Sequence, residues 1–148
     1  MSDSFVTVDH VAVANRLRPV LLKLNRELRR ELHSVGVTGG QASLLAQIAA
    51  SPGIGVRELA ARERMSAPGM SKYVGRLEAD GLVERAAVGG DRRRIGLRLT
   101  PEGQKVWRSV KSRRTAWLAA RLRGLDPAEI EAIDAAIEPL AALLEARV

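Results

Sequence analysis

The sequence contains no cysteine. Disulfides, thiolate nucleophiles and thiol-based redox switches are therefore excluded. Aromatic residues make up only 3% of the chain, two Trp, one Tyr and one Phe, so a core has to be built from Leu, Val, Ile and Ala. The two histidines, His10 and His33, fall near opposite ends of one helical stretch and do not form a zinc site. No metal cluster, phosphate-binding glycine loop or nucleophile–base pair is legible, so the reading is a non-enzyme that needs no cofactor. No apolar run approaches the length of a membrane span. The opening MSDSFVTVDH lacks the basic and apolar regions of a secretory signal. A cytoplasmic protein with no membrane partner is expected.

What is present is one domain's worth of chain, 148 residues, 46% of them hydrophobic. The formal net charge is +7, from 24 basic and 17 acidic residues. That charge alone means little more than solubility. It points to a polyanion because arginines also cluster in one short run, Arg92-Arg93-Arg94.

The stretch 55–100 organises the rest. Residues 56–63 (VRELAARE) predict a short helix with Val56, Leu59 and Ala60 on one face. Arg64-Met65 is a turn, with Met65 expected to plug the core. Ser66 is an N-cap, and Pro68 is tolerated in the first turn of the helix that follows. Met70, Tyr73, Val74 and Leu77 form its expected inward face. Ala67, Gly69, Ser71, Lys72, Gly75 and Arg76 are left facing outward. Small residues near the start let a helix end approach base edges and phosphates, and the end itself favours an anion. Gly81 stops this helix. Strands are expected over 82–86 and 95–99, with 88–94 as a glycine-opened, arginine-rich tip. Asp91 there is expected to hold an arginine, since phosphate repels it. Helix, helix, strand, turn, strand is the winged form of a helix-turn-helix.

On either side lie longer helices. Asp9 caps a helix over about 9–33, whose apolar stripe includes Leu17, Leu21, Leu24 and Leu28; the stripe stays in phase past Pro19, so a kinked single helix is expected. Thr38 and Gln41 have capping-box spacing ahead of a helix that reaches about residue 50. Ile54 is a candidate for a small strand against the wing. Thr100 and Pro101 start a basic helix through about 123, in which Gly103 reads as a mild weakness. Asp126, Pro127 and Glu129 start the last helix. There Ile130, Ile133, Ile137, Leu140 and Leu144 repeat at three, four, three and four, a short coiled-coil-like seam. The first and last helices both carry stripes that need a partner, which predicts a dimer made from both chain ends.

These residues carry a family likeness. ELAARERMSAPGMSKYVGRLEADGLVER, followed by Asp91-Arg92-Arg93 and then Leu99-Thr100, resembles the MarR family of winged helix-turn-helix regulators. The resemblance implies a mainly α fold with a small β wing, flanked by long dimerisation helices. It divides the chain into an N-terminal dimerisation helix (1–34), a DNA-binding lobe (35–100) and C-terminal helices that complete the dimer (101–148). It implies a homodimer that binds a pseudo-palindromic double-stranded operator, as a repressor released by a small aromatic or anionic effector bound between the lobe and the dimer helices. Ser66, Pro68, Gly69, Ser71, Lys72 and Arg76 fall where such a recognition helix meets DNA. Arg92, Arg93 and Arg94 fall on the wing, with Arg93 at its tip and Asp91 as support. A winged helix that binds protein, or that binds DNA without sequence preference as an architectural module, is the alternative.

Overall fold

The computed structural model describes residues 7–146, without the side chains of residues 91–93. The chain is mainly helical with one small sheet, in the order α1 (His10–Arg30), α2 (Gly39–Ala50), α3 (Val56–Arg62), α4 (Ala67–Ala79), β1 (Val83–Val88), β2 (Asp91–Leu99), α5 (Pro101–Leu122) and α6 (Pro127–Glu145). Local chemistry sets most of the boundaries. Asp9 accepts from the Val11 and Ala12 amides at the head of α1. Thr38 and Gln41 form a reciprocal capping box on α2, as Asp126 and Glu129 do on α6. Ser66 caps α4 and Thr100 caps α5 through the Gly69 and Gly103 amides. Pro19 and Pro139 lie inside α1 and α6 without ending them.

α1 stops at Arg30, three residues before the predicted end. Leu32 turns inward instead, fully buried, and its carbonyl accepts from the Val35 and Gly36 amides. The reversal is completed by Gly36 at φ 81°, a left-handed conformation that costs glycine nothing.

The core runs from this turn through α2, α3, α4, the sheet and the first half of α5. Leu32, Leu45, Ile48, Leu59, Met70, Val74, Leu77, Leu97 and Val110 are all fully buried in it. β1 and β2 pair antiparallel from Val83–Leu99 to Ala87–Ile95. Ile54 adds an isolated bridge to Leu97, with the Leu97 amide donating to the Ile54 carbonyl and the Gly53 amide to the Leu97 carbonyl. The bridge depends on Gly96, where any Cβ would overlap the Gly53 carbonyl. By contrast, neither α1 nor α6 contains a buried residue. No helix of the described residues is long and apolar enough to cross a membrane.

Candidate nucleic-acid interface

α4 buries Met70, Val74 and Leu77 and turns Pro68, Ser71, Lys72, Gly75 and Arg76 to solvent, with Gly69 half-buried and the cap residue Ser66 exposed. The outward face is the one read from the sequence except at Ala67 and Gly69, which are half-buried. Tyr73 is a correction. It is 46% exposed rather than inward. The buried seam follows the four-three spacing of 70, 74 and 77, and residue 73 stands about 100° round the helix from 74, on the flank. Tyr73 instead walls a hollow of about 130 Å³ together with Lys72 and Arg76. Met65 is a second correction: the turn before α4 leaves it 36% exposed. Beside it, Arg64 is exposed and holds φ at 54°, where L-residues are uncommon.

The wing is anchored by two ion pairs. Arg85 of β1 donates to Glu78 of α4 at 2.8 Å, and Arg98 of β2 donates to Glu84 across the sheet at 2.6 Å. Both strands run further than predicted, and the turn shrinks to Gly89-Gly90, with Gly89 at φ 67°. Ala87 faces Ile95 but Val88 faces Asp91, so the register shifts and Arg92-Arg93-Arg94 are the surplus residues of β2. The arginines thus belong to an irregular strand end rather than to the turn. Arg94 is exposed. The side chains of Asp91, Arg92 and Arg93 lie outside the described residues.

Two further cationic features were not legible in sequence, because they join residues from separate elements. Between α2, β2 and α5 lies a half-open cavity of about 480 Å³, walled by Ile48, Leu99 and Trp107 and rimmed by Arg98, Arg108 and Lys111. The Lys111 ammonium stands 5.6 Å from the Trp107 ring centre, a cation–π contact. At the other end of α2, Arg29 lies over Gly39, and a Cβ there would stand 2.8 Å from its Nε. Arg114 of α5 holds a buried Nε without a hydrogen-bond partner among the described residues. Its pKa is pushed below the ordinary arginine value by burial first and by the charge of Arg29 second.

The apolar seams at the chain ends are uncovered. Leu17, Ile130 and Leu140 are half-buried, whereas Leu21, Ile133, Ile137 and Leu144 are exposed, Leu144 at 90%. Among the described residues no group of three or more His, Asp or Glu is arranged to hold a metal ion.

The sequence profile of the MarR family matches residues 35–94. The HTH-type transcriptional repressor MdtR of Bacillus subtilis is 30% identical over 114 residues, 77% of this chain and 74% of that protein. A MarR family protein from Bacillus stearothermophilus superposes with a TM-score of 0.82 at 22% identity, over 95% of this chain and 100% of that one. Streptococcus pneumoniae FabT, crystallised in complex with DNA, superposes with a TM-score of 0.72 at 19% identity, over 89% of this chain and 97% of that one.

Proposed function

Because this chain belongs to the MarR family of winged-helix transcriptional regulators, we propose that it is a cytoplasmic, homodimeric repressor that reads a pseudo-palindromic DNA operator. The observation that carries this reading is the outward face of α4. Ser71, Lys72 and Arg76 stand exposed on a helix whose other face is locked into the core, and Pro68 and Gly75 keep the surface low. Such a helix fits the major groove, which is about 12 Å wide. Ser66, Pro68 and Gly69 bring the capped helix end to the phosphates. Arg92, Arg93 and Arg94 bring the wing to the DNA, and one of them, Arg93, enters the neighbouring minor groove, where narrowed A·T-rich DNA concentrates negative potential.

Residues 1–34 and 101–148 join two copies through Leu17, Leu21, Ile130, Ile133, Ile137, Leu140 and Leu144, and residues 35–100 form the DNA-binding lobe. The absence of buried residues from α1 and α6 supports this division, because an isolated chain would leave both apolar stripes in water. A two-fold dimer sets its recognition helices about 34 Å apart, one DNA turn. Selection from a random duplex library by the wild-type protein therefore enriches an inverted repeat with half-sites about 10 base pairs apart, centre to centre. Enrichment of no sequence would leave a non-specific architectural protein instead.

The cavity beside Trp107 is the candidate effector site. An indole wall with Arg108 and Lys111 at the rim suits a flat ring bearing one anionic group. An occupant there touches both β2 and α5, so it biases the angle between lobe and dimer helices only if it binds the DNA-incompetent arrangement more tightly. Titration with 1-naphthoate tests this: it weakens operator binding by the wild type and leaves Arg108→Gln/Lys111→Gln unaffected.

A further inference from the structure

Lys72 and Arg76 are like charges one helical turn apart, a spacing that repels by a few tenths of a kcal/mol. Neither joins an ion pair among the described residues. Tyr73 stands beside them as the third wall of the same hollow, and it is the only tyrosine in the chain. It also borders a second small recess, together with Ser43, Leu44, Glu63 and Met65. Among the described residues, the side-chain hydrogen bonds of α4 are made by Ser66 and Glu78 and none by Tyr73. A phenol exposed beside two cations, with no side-chain hydrogen bond or ion pair to any of the three among the described residues, can receive one small anion.

We infer that the Lys72–Tyr73–Arg76 hollow seats one backbone phosphate of the operator, with the Tyr73 hydroxyl donating to a phosphate oxygen. This rests on the proposal that α4 enters the major groove. Groove geometry then decides between phosphate and base edge. A helix about 10–12 Å across nearly fills a groove about 12 Å wide, so residues at the centre of its outward face meet base edges and residues on its flanks meet the phosphate walls. Tyr73 lies on the flank, about 60° round from Arg76 and about 100° from Lys72, so its hydroxyl meets the phosphate wall directly while the two long cationic side chains reach it from nearer the centre of the face. The hollow, about 130 Å³, has room for a phosphate group beside all three side chains. Tyr73 thereby fixes the register and depth of the helix in the groove, a positioning task rather than a reading one.

The test uses the full-length dimer and the duplex selected by the wild-type protein. Tyr73→Phe removes one exposed hydroxyl and leaves the ring packing intact. It weakens operator binding about tenfold to a hundredfold, the loss expected for one hydrogen bond to a charged group, and leaves the salt slope unchanged. Lys72→Gln lowers that slope by about one. A scan with single methylphosphonate linkages locates the contact: at one position the neutral linkage weakens the wild type more than it weakens Tyr73→Phe, which keeps only the Lys72 and Arg76 contacts there. Equal affinity of wild type and Tyr73→Phe for a duplex that the wild type selects overturns the inference and spares the proposed function. So do losses that add at every linkage, which make Tyr73 a base reader. A wild type that selects no duplex overturns both.

Discussion

Gly103, in the first turn of α5, lies flat against the backbone carbonyl of Leu82, and a Cβ at 103 would fall onto that oxygen. Thr100 fixes the approach from two sides. Its hydroxyl accepts from the Gly103 amide and donates to the Gly81 carbonyl, while its own amide donates to the Leu82 carbonyl. The end of α4, the start of β1 and the start of α5 are thus one knot. Gly103→Ala has to push α5 off the lobe, and its expected cost is about 2–3 kcal/mol in urea unfolding, at the upper end of what overpacking does. A change under half a kcal/mol would contradict the packing described here.

Arg64 behaves in the opposite sense. Its φ of 54° is strained for a residue with a Cβ. Arg64→Gly relieves that strain and is expected to raise stability by about 0.5–1 kcal/mol, less whatever backbone entropy the glycine adds to the unfolded chain. Chemical denaturation of the two proteins decides the sign.

Ile137 sits 56% exposed in the middle of the α6 seam. If that seam is the dimer contact, Ile137→Asp buries an unpaired carboxylate there, and the dimer falls to monomers at micromolar concentration. Sedimentation velocity reads this directly. An unchanged dimer places the interface elsewhere.

Arg93→Ala is expected to weaken operator binding about tenfold and to lower the salt slope by about one, with fold and dimerisation intact. Identical salt titrations for mutant and wild type would remove Arg93 from the interface.

The helices were legible because their ends are local. Asp9, Thr38, Ser66, Thr100 and Asp126 cap through amides two or three residues away, so sequence spacing is enough to find them. The outward face of α4 followed from the spacing of Met70, Val74 and Leu77. What the spacing could not settle was the flank. Tyr73 is apolar enough to be taken for core, yet it stands beside the buried seam and is 46% exposed. Gly103 read as a weakness in a helix because the Leu82 carbonyl that needs it comes from another element. The strand ends at the wing tip were missed for a similar reason. Three surplus residues between Asp91 and Ile95 leave no mark in the residue pattern. The rim of the Trp107 cavity and the crowding of Arg29 against Arg114 join helices and strand far apart in sequence, and only the fold brings them together.

The most direct test of the central claim is titration of the purified protein against the DNA upstream of its own gene, beside a scrambled duplex of equal length, at two salt concentrations. Tight binding to the upstream DNA alone, at one dimer per site and persisting at the higher salt, is the predicted result. Weak binding that is equal on both duplexes and vanishes with salt would contradict it, leaving a basic winged-helix protein that reads no sequence.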